Sequence, residues 1–193
     1  MKICVFGAAS AAIDKNFIDA AEKLGEEIAR RGHSLVFGAG ANGLMGAVAR
    51  GVKRCSGNII GVIPSFFKDE NIEEIYDQCD ELIFTDTMSK RIATMTELSD
   101  AFITVPGGVG TLEEFFEVFT LKQLTRHTKP IGIFDINNYY DKLDDFLKHS
   151  VEEKFIRYEC KDLYAYSNNV YEILDYVEND KRAKKDVHDL KNG

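Results

Sequence analysis

Pro106-Gly107-Gly108-Val109-Gly110-Thr111-Leu112-Glu113-Glu114 follows directly on the most apolar stretch of the chain. Glycines let a backbone approach a ligand closely, and a helix starting here would offer unpaired N–H groups with a partial positive charge. That combination suits a phosphate. Thr111 and Glu114 also have the Thr-x-x-Glu spacing of a capping box, worth about 1 kcal/mol to a helix, but a cap leaves the preceding Pro-Gly-Gly-x-Gly unexplained. A second segment is Met88-Ser89-Lys90-Arg91. Met88, Ile92 and Met95 make a helical stripe that reads as core, with Arg91 at its border. A cation in a first helical turn opposes the macrodipole, so Arg91 is either a solvated surface charge or a group with a ligand to hold. The third is Gly38-Ala39-Gly40-Ala41-Asn42-Gly43, formally G-x-G-x-x-G. A dinucleotide site would want an acidic residue about 20 positions on, where Val62-Ile63-Pro64-Ser65 stands instead. Gly40 and Gly43 then serve either tight strand-to-helix packing or contact with the phosphate or ribose of a mononucleotide.

Short apolar runs alternating with helical periodicity must position these groups. Ile3–Phe6, Leu35–Phe37, Ile59–Ile63, Leu82–Phe84, Ala101–Val105, Ile131–Phe134 and Tyr164–Tyr166 read as strands. Between them lie helices, of which Phe17, Ala21, Leu24 and Ile28 form the clearest stripe; others are expected through Arg54 and over 87–98, 111–124, 139–151 and 170–177. Continuous apolar strands alternating with helices predict an α/β, Rossmann-like, doubly wound and mostly parallel sheet in a single domain over 1–179. Residues 65–80 read as a loop or lid, and 180–193 as a charged, frayed C-terminal tail. In such a sheet ligands sit beyond the carboxyl ends of the strands. Arg91 and Glu114 would open on that edge together, if the strands before them lie close.

The chain has 193 residues, 45% apolar and 29% charged, with 24 basic and 32 acidic residues and a net charge of −8. That balance speaks against nucleic-acid or anionic-membrane partners, which need a positive field. An anion must therefore be held locally. Cys4, Cys55, Cys79 and Cys160 form no metal-ligand or disulfide pattern, so no metal is expected and free thiols in a cytoplasmic protein are. No run approaches the length of a membrane span, and the first residues mimic a signal peptide only faintly.

Pro-Gly-Gly-x-Gly-Thr-x-x-Glu at 106–114 downstream of Met-x-x-Arg at 88–91 resembles the LONELY GUY (LOG) family of cytokinin riboside 5′-monophosphate phosphoribohydrolases, sometimes labelled lysine decarboxylases. The resemblance covers roughly residues 3–175. It includes Gly43-Leu44-Met45-Gly46, Gly61-Val62-Ile63-Pro64, Ser99-Asp100-Ala101-Phe102, Tyr139-Tyr140 and Phe155-Ile156. It implies hydrolysis of the N-glycosidic bond of a nucleoside 5′-monophosphate to an adenine-type base and ribose 5-phosphate, with no cofactor. Arg91 and Glu114 match the catalytic pair. Gly107, Gly108, Val109, Gly110 and Thr111 match the phosphate-binding turn, and Met88, Gly40, Gly43 and Ser10 complete the candidate substrate-binding set.

The chemistry agrees with those residue types. Cleaving a glycosidic bond builds an oxocarbenium-like sugar that a carboxylate can stabilise while it orients or deprotonates water. A neighbouring guanidinium can clamp substrate groups and favour the ionised carboxylate. The chain departs from the family pattern at Ala8-Ala9, Ala39 and Ile92, losing hydroxyl and ammonium donors. Lys90 could replace the ammonium only by overcoming its direction, about 100° away from Arg91 around the helix. A non-catalytic nucleotide carrier on the same fold is the alternative. Leu112, Phe115, Phe116, Val118, Phe119, Leu121 and Leu124 project almost all round their helix, predicting a homodimer; the resemblance implies sites near the subunit interface.

Overall fold

A computed structural model describes residues 1–180 and 187–191. Seven strands form one sheet: β1 (Lys2–Phe6), β2 (Ser34–Phe37), β3 (Ile59–Pro64), β4 (Glu81–Thr85), β5 (Ala101–Thr104), β6 (Ile131–Phe134) and β7 (Ala165–Ser167). The helices are α1 (Lys15–Arg30), α2 (Gly43–Arg54), α3 (Ser65–Asp69), α4 (Met88–Leu98), α5 (Val109–Gln123), α6 (Asp141–Glu152), α7 (Val170–Asn179) and α8 (Val187–Lys191). Every strand pairing is parallel, in the order β4-β3-β2-β1-β5-β6-β7.

Alternate strand residues feed two apolar layers. Ile3, Val5, Leu35, Phe37, Ile59 and Ile103 pack under α1, α2 and α7. Cys4, Phe6, Val36, Val62, Phe102 and Ile133 pack under α4 and α5. Both faces are covered over β1, β2, β3, β5 and β6, which is why these strands read as unbroken apolar runs, while the edge strand β4 leaves Leu82 and Phe84 exposed. Asp14 caps α1 by accepting from the Asn16 N–H, and Gly32 follows its end at φ +76°.

Strand order reverses between β1 and β5, creating the crevice at which doubly wound sheets bind ligands. It also corrects an expectation: β4 and β5 are not close but stand with β3, β2 and β1 between them. Arg91 nevertheless reaches the region of β5, because α4 crosses the sheet face, packing on β4, β3, β2 and β1 on its way back. Within the segment expected as a loop or lid, α3 forms one short helix, and Gly40 bridges Ile75 beyond it. The expected frayed tail is partly corrected: α8 is helical, Leu190 is buried, and the Gln123 amide donates to its carbonyl at 3.2 Å. The remainder of that tail, 181–186 and 192–193, lies outside the described residues.

Candidate active site

The turns after β1 and β5 build the rim. The Ala8 N–H donates to the Pro106 carbonyl at 3.1 Å, tying the two turns together across the reversal point. From behind, the Tyr139 hydroxyl donates to the Gly107 carbonyl at 2.9 Å and the Tyr140 hydroxyl to the Val105 carbonyl at 3.0 Å. The Tyr140 N–H is fixed in turn by Asp135 Oδ1 at 2.7 Å. The Pro-Gly-Gly turn is therefore braced on both sides rather than left as a free loop.

The capping-box reading of Thr111 and Glu114 is corrected. The cap position of α5 is Gly108, and both residues lie inside the helix, buried. A Cβ on Gly107 would sit 2.1 Å from Thr111 Oγ1, so Gly107 admits that hydroxyl. Gly108 and Gly110 have no neighbouring atom within 4 Å of an added Cβ; their hydrogens face open space. Val109 is 85% exposed and does not line the cleft.

On α4, Thr87 Oγ1 caps the first turn by accepting from the Lys90 N–H at 3.1 Å. Lys90 itself is exposed and pairs with Asp86, away from the ammonium place in the family pattern. Ile92 is buried in the core. Arg91 is buried too, and its Nη2 donates to Glu114 Oε1 at 3.0 Å. Its Nη1 faces Met88 Sδ at 3.8 Å, while its Nε is buried with no partner. Unused guanidinium donors beside a carboxylate are what a polar ligand would take up. The glycine beneath this group is Gly38: a Cβ there would lie 2.0 Å from Arg91 Nη2.

One cleft of about 370 Å³ gathers Gly7, Ala8, Ala9, Ser10, Met45, Phe67, Glu73, Met88, Arg91, Gly108, Gly110, Thr111 and Glu114. That volume is in the range of small-molecule sites. Of the candidate residues, Arg91, Glu114, Gly108, Gly110, Thr111, Met88 and Ser10 meet there. Gly40 and Gly43 do not line it. Gly40 lies beneath Glu73 and Met45, while Gly43, at φ +60°, lets α2 start hard against the Ala8 carbonyl, which accepts the Leu44 and Met45 N–H groups. Those α2 amides are thus already occupied. Burial pushes the Glu114 carboxyl up to about 7; Arg91 pulls it back, and Glu113 and Glu73 add to the rise.

Sequence reasoning missed Gly38, Met45, Phe67 and Glu73. Gly38 stood in plain view within G-x-G-x-x-G. Met45 stood within the Gly43-Leu44-Met45-Gly46 segment; Phe67 and Glu73 carried no periodic or motif signal, and only the antiparallel pairing of the segment around Ile75 with the turn after β2 brings Glu73 to the cleft.

The family model described as possible lysine decarboxylase matches residues 45–177. The chain is 36% identical over 189 residues to the Arabidopsis thaliana protein named cytokinin riboside 5′-monophosphate phosphoribohydrolase LOG5, covering 97% of this chain and 80% of that one. It is 38% identical over 177 residues to the Oryza sativa subsp. japonica protein named probable cytokinin riboside 5′-monophosphate phosphoribohydrolase LOGL3, covering 92% and 83%. Among solved structures it is similar to the molybdenum cofactor carrier protein of Chlamydomonas reinhardtii, with TM-score 0.69 and 25% identity over 92% of this chain and 95% of that one. The molybdenum cofactor binding protein of Rippkaea orientalis, at 20% identity and TM-score 0.69 over 92% and 94%, shares the fold.

Proposed function

The chain belongs to the LOG family, the family whose model is described as possible lysine decarboxylase, and on that premise we propose that it hydrolyses nucleoside 5′-monophosphates. The N-glycosidic bond breaks to give an adenine-type base and ribose 5-phosphate, cytokinin riboside 5′-monophosphates and AMP being the substrates to try. The observation that carries this reading is the buried Arg91–Glu114 pair set against an open glycine rim.

In this reading the backbone around Gly108, Gly110 and Thr111 holds the 5′-phosphate, where the first turn of α5 offers N–H groups and a favourable dipole. Arg91 clamps the sugar or phosphate through the donors Glu114 does not use. Glu114 in its ionised form faces C1′, stabilises the oxocarbenium-like sugar and takes a proton from the attacking water. Phe67, Met45 and Met88 give the cleft an apolar side for a flat base.

Chromatography of AMP and isopentenyl-AMP after incubation tests this: equimolar free base and ribose 5-phosphate are expected. Tight binding of either nucleotide with no release would favour the second reading, a non-catalytic nucleotide carrier. That reading is supported by the absent donors at Ala8, Ala9 and Ile92 and by likeness to a carrier protein.

A homodimer belongs to the same proposal. Leu112, Phe116 and Leu121 on α5 and Leu124 at its end remain only partly buried. Phe116 shares an open groove with Phe155, which is 87% exposed, and Tyr158. Contiguous exposed apolar surface of this kind favours a protein partner. We also propose a cytoplasmic location, supported by four cysteines that stand as thiols rather than disulfides; among the described residues no helix is long and apolar enough to cross a membrane.

A further inference from the structure

A hydrolase of this kind needs a proton for the base it expels, and Arg91 and Glu114 do not supply one. Arg91 cannot give up a proton, and Glu114 is required ionised. A second carboxyl stands in the same cleft: Glu73, in the stretch between α3 and β4. The peptide around it is fixed rather than loose. The Ala41 N–H donates to the Glu74 carbonyl at 2.8 Å and the Tyr76 N–H to the Ala39 carbonyl at 2.8 Å, so this stretch runs antiparallel to the turn after β2. The Glu73 carboxyl is laid over Gly40, where a Cβ would come within 2.3 Å of Oε1 and 2.7 Å of Met45 Cε. That oxygen is buried with no hydrogen-bond partner. A buried carboxyl oxygen without a partner costs stability and calls for a reason, such as a ligand it meets in action.

We propose that Glu73, as a carboxylic acid, is the catalytic residue that protonates the departing base. The inference rests on the phosphoribohydrolase reading above. As the C1′–N9 bond breaks, its electron pair goes to N9 of the purine, and the Glu73 proton passes to another ring nitrogen such as N7, so the base leaves neutral. Water then forms the C1′–O bond and gives its proton to Glu114. The pair ends with Glu73 ionised and Glu114 protonated, and exchange with solvent restores the start. Arg91 from α4 and Glu114 from α5 face Glu73 in this cleft; burial raises the Glu73 pKa and Arg91 lowers it. Two carboxyls in one cleft, one to give a proton and one to take it, is the division of labour glycosidic cleavage asks for.

The test compares wild type with Glu73→Gln on two nucleotides: the faster of AMP and isopentenyl-AMP, and nicotinamide mononucleotide, whose cationic base leaves without a proton. General-acid loss is expected to slow the purine nucleotide about a hundredfold or more, with the nicotinamide nucleotide within about threefold of wild type. Equal losses on both, or less than about a threefold loss on the purine nucleotide, would overturn the assignment. If wild type does not turn over the nicotinamide nucleotide, the pH profile of kcat decides. Wild type should lose rate at alkaline pH as the acid ionises, Glu73→Gln should lack that limb, and a limb that persists overturns the proposal. Should wild type release no base from either purine nucleotide, the failure is that of the hydrolase reading, and this inference falls with it.

Discussion

Arg91 spends one of its five donors on Glu114 and keeps a buried Nε unused. Lysine would preserve the charge but offers a compact ammonium in place of a planar fork. Arg91→Lys should therefore lower kcat/KM on AMP at least about a hundredfold while the fold survives. Steady-state kinetics beside circular dichroism checks it, and a rate near wild type would mean the fork is not used. The carboxylate side makes a pH statement. In the proposed reaction Glu114 works ionised, and its carboxyl is raised to about 7, so kcat/KM should fall about tenfold per pH unit below that value. A profile flat from pH 5 to 8 would deny Glu114 its role. The sign for stability is opposite. The folded state holds this proton more tightly than a carboxyl of ordinary value 4.5. Its contribution is fully present below about 4.5 and lost as pH rises through about 7. At this scale Arg91 and Glu114 were legible from residue type and spacing, whereas Glu73 was not. An acidic residue in a polar, aperiodic stretch looks like any solvated charge until the chain pairing shows what it lies over.

Two helix starts carry the site, and they were legible to different degrees. The start of α4 was readable because Thr87 caps it and Ile92 and Met95 pack into the core, although Met88, read as part of that core stripe, lines the cleft instead. The start of α5 was misread by a few residues. Thr-x-x-Glu mimics a cap, but here Thr111 fills the space Gly107 leaves and Glu114 turns to Arg91, so tertiary partners outweigh the local pattern. Gly110 separates the two demands on this element. It lies in the first turn of α5 with nothing near an added Cβ, so Gly110→Ala should leave stability unchanged or raise it by up to about 1 kcal/mol. The added methyl points where the phosphate would lie, so KM for AMP should rise at least about tenfold. Thermal denaturation and kinetics on one preparation check both halves, and an unchanged KM would move the phosphate elsewhere. Gly38→Ala makes the complementary case. A methyl 2.0 Å from Arg91 Nη2 must displace the guanidinium, and the rate should drop more than about tenfold with the sheet intact.

Across the whole molecule, fold class and nearly every strand could be read from sequence, because strands buried on both faces announce themselves as apolar runs. Strand order could not. Apolar runs do not say which neighbour each strand takes, so β4 and β5 were placed together although three strands part them. The long return of α4 across the sheet makes Arg91 and Glu114, 23 positions apart in sequence, a single device. The partly buried apolar side of α5 and the exposed Phe155 lead to an oligomer expectation. Sedimentation velocity should give a dimer at micromolar concentration, and Phe155→Glu should shift it towards monomer; a wild-type monomer at all concentrations would contradict this. The central claim is that the two distant helices deliver one catalytic unit. It is tested most directly by base release from AMP with wild type, Arg91→Lys, Glu114→Gln and the double variant, measured at pH 8. Residues acting together are strongly non-additive, so each single change should cost at least about a hundredfold and the double variant should be little slower than the worse single. A Glu114→Gln enzyme that keeps wild-type rate, or losses that multiply in full, would contradict it.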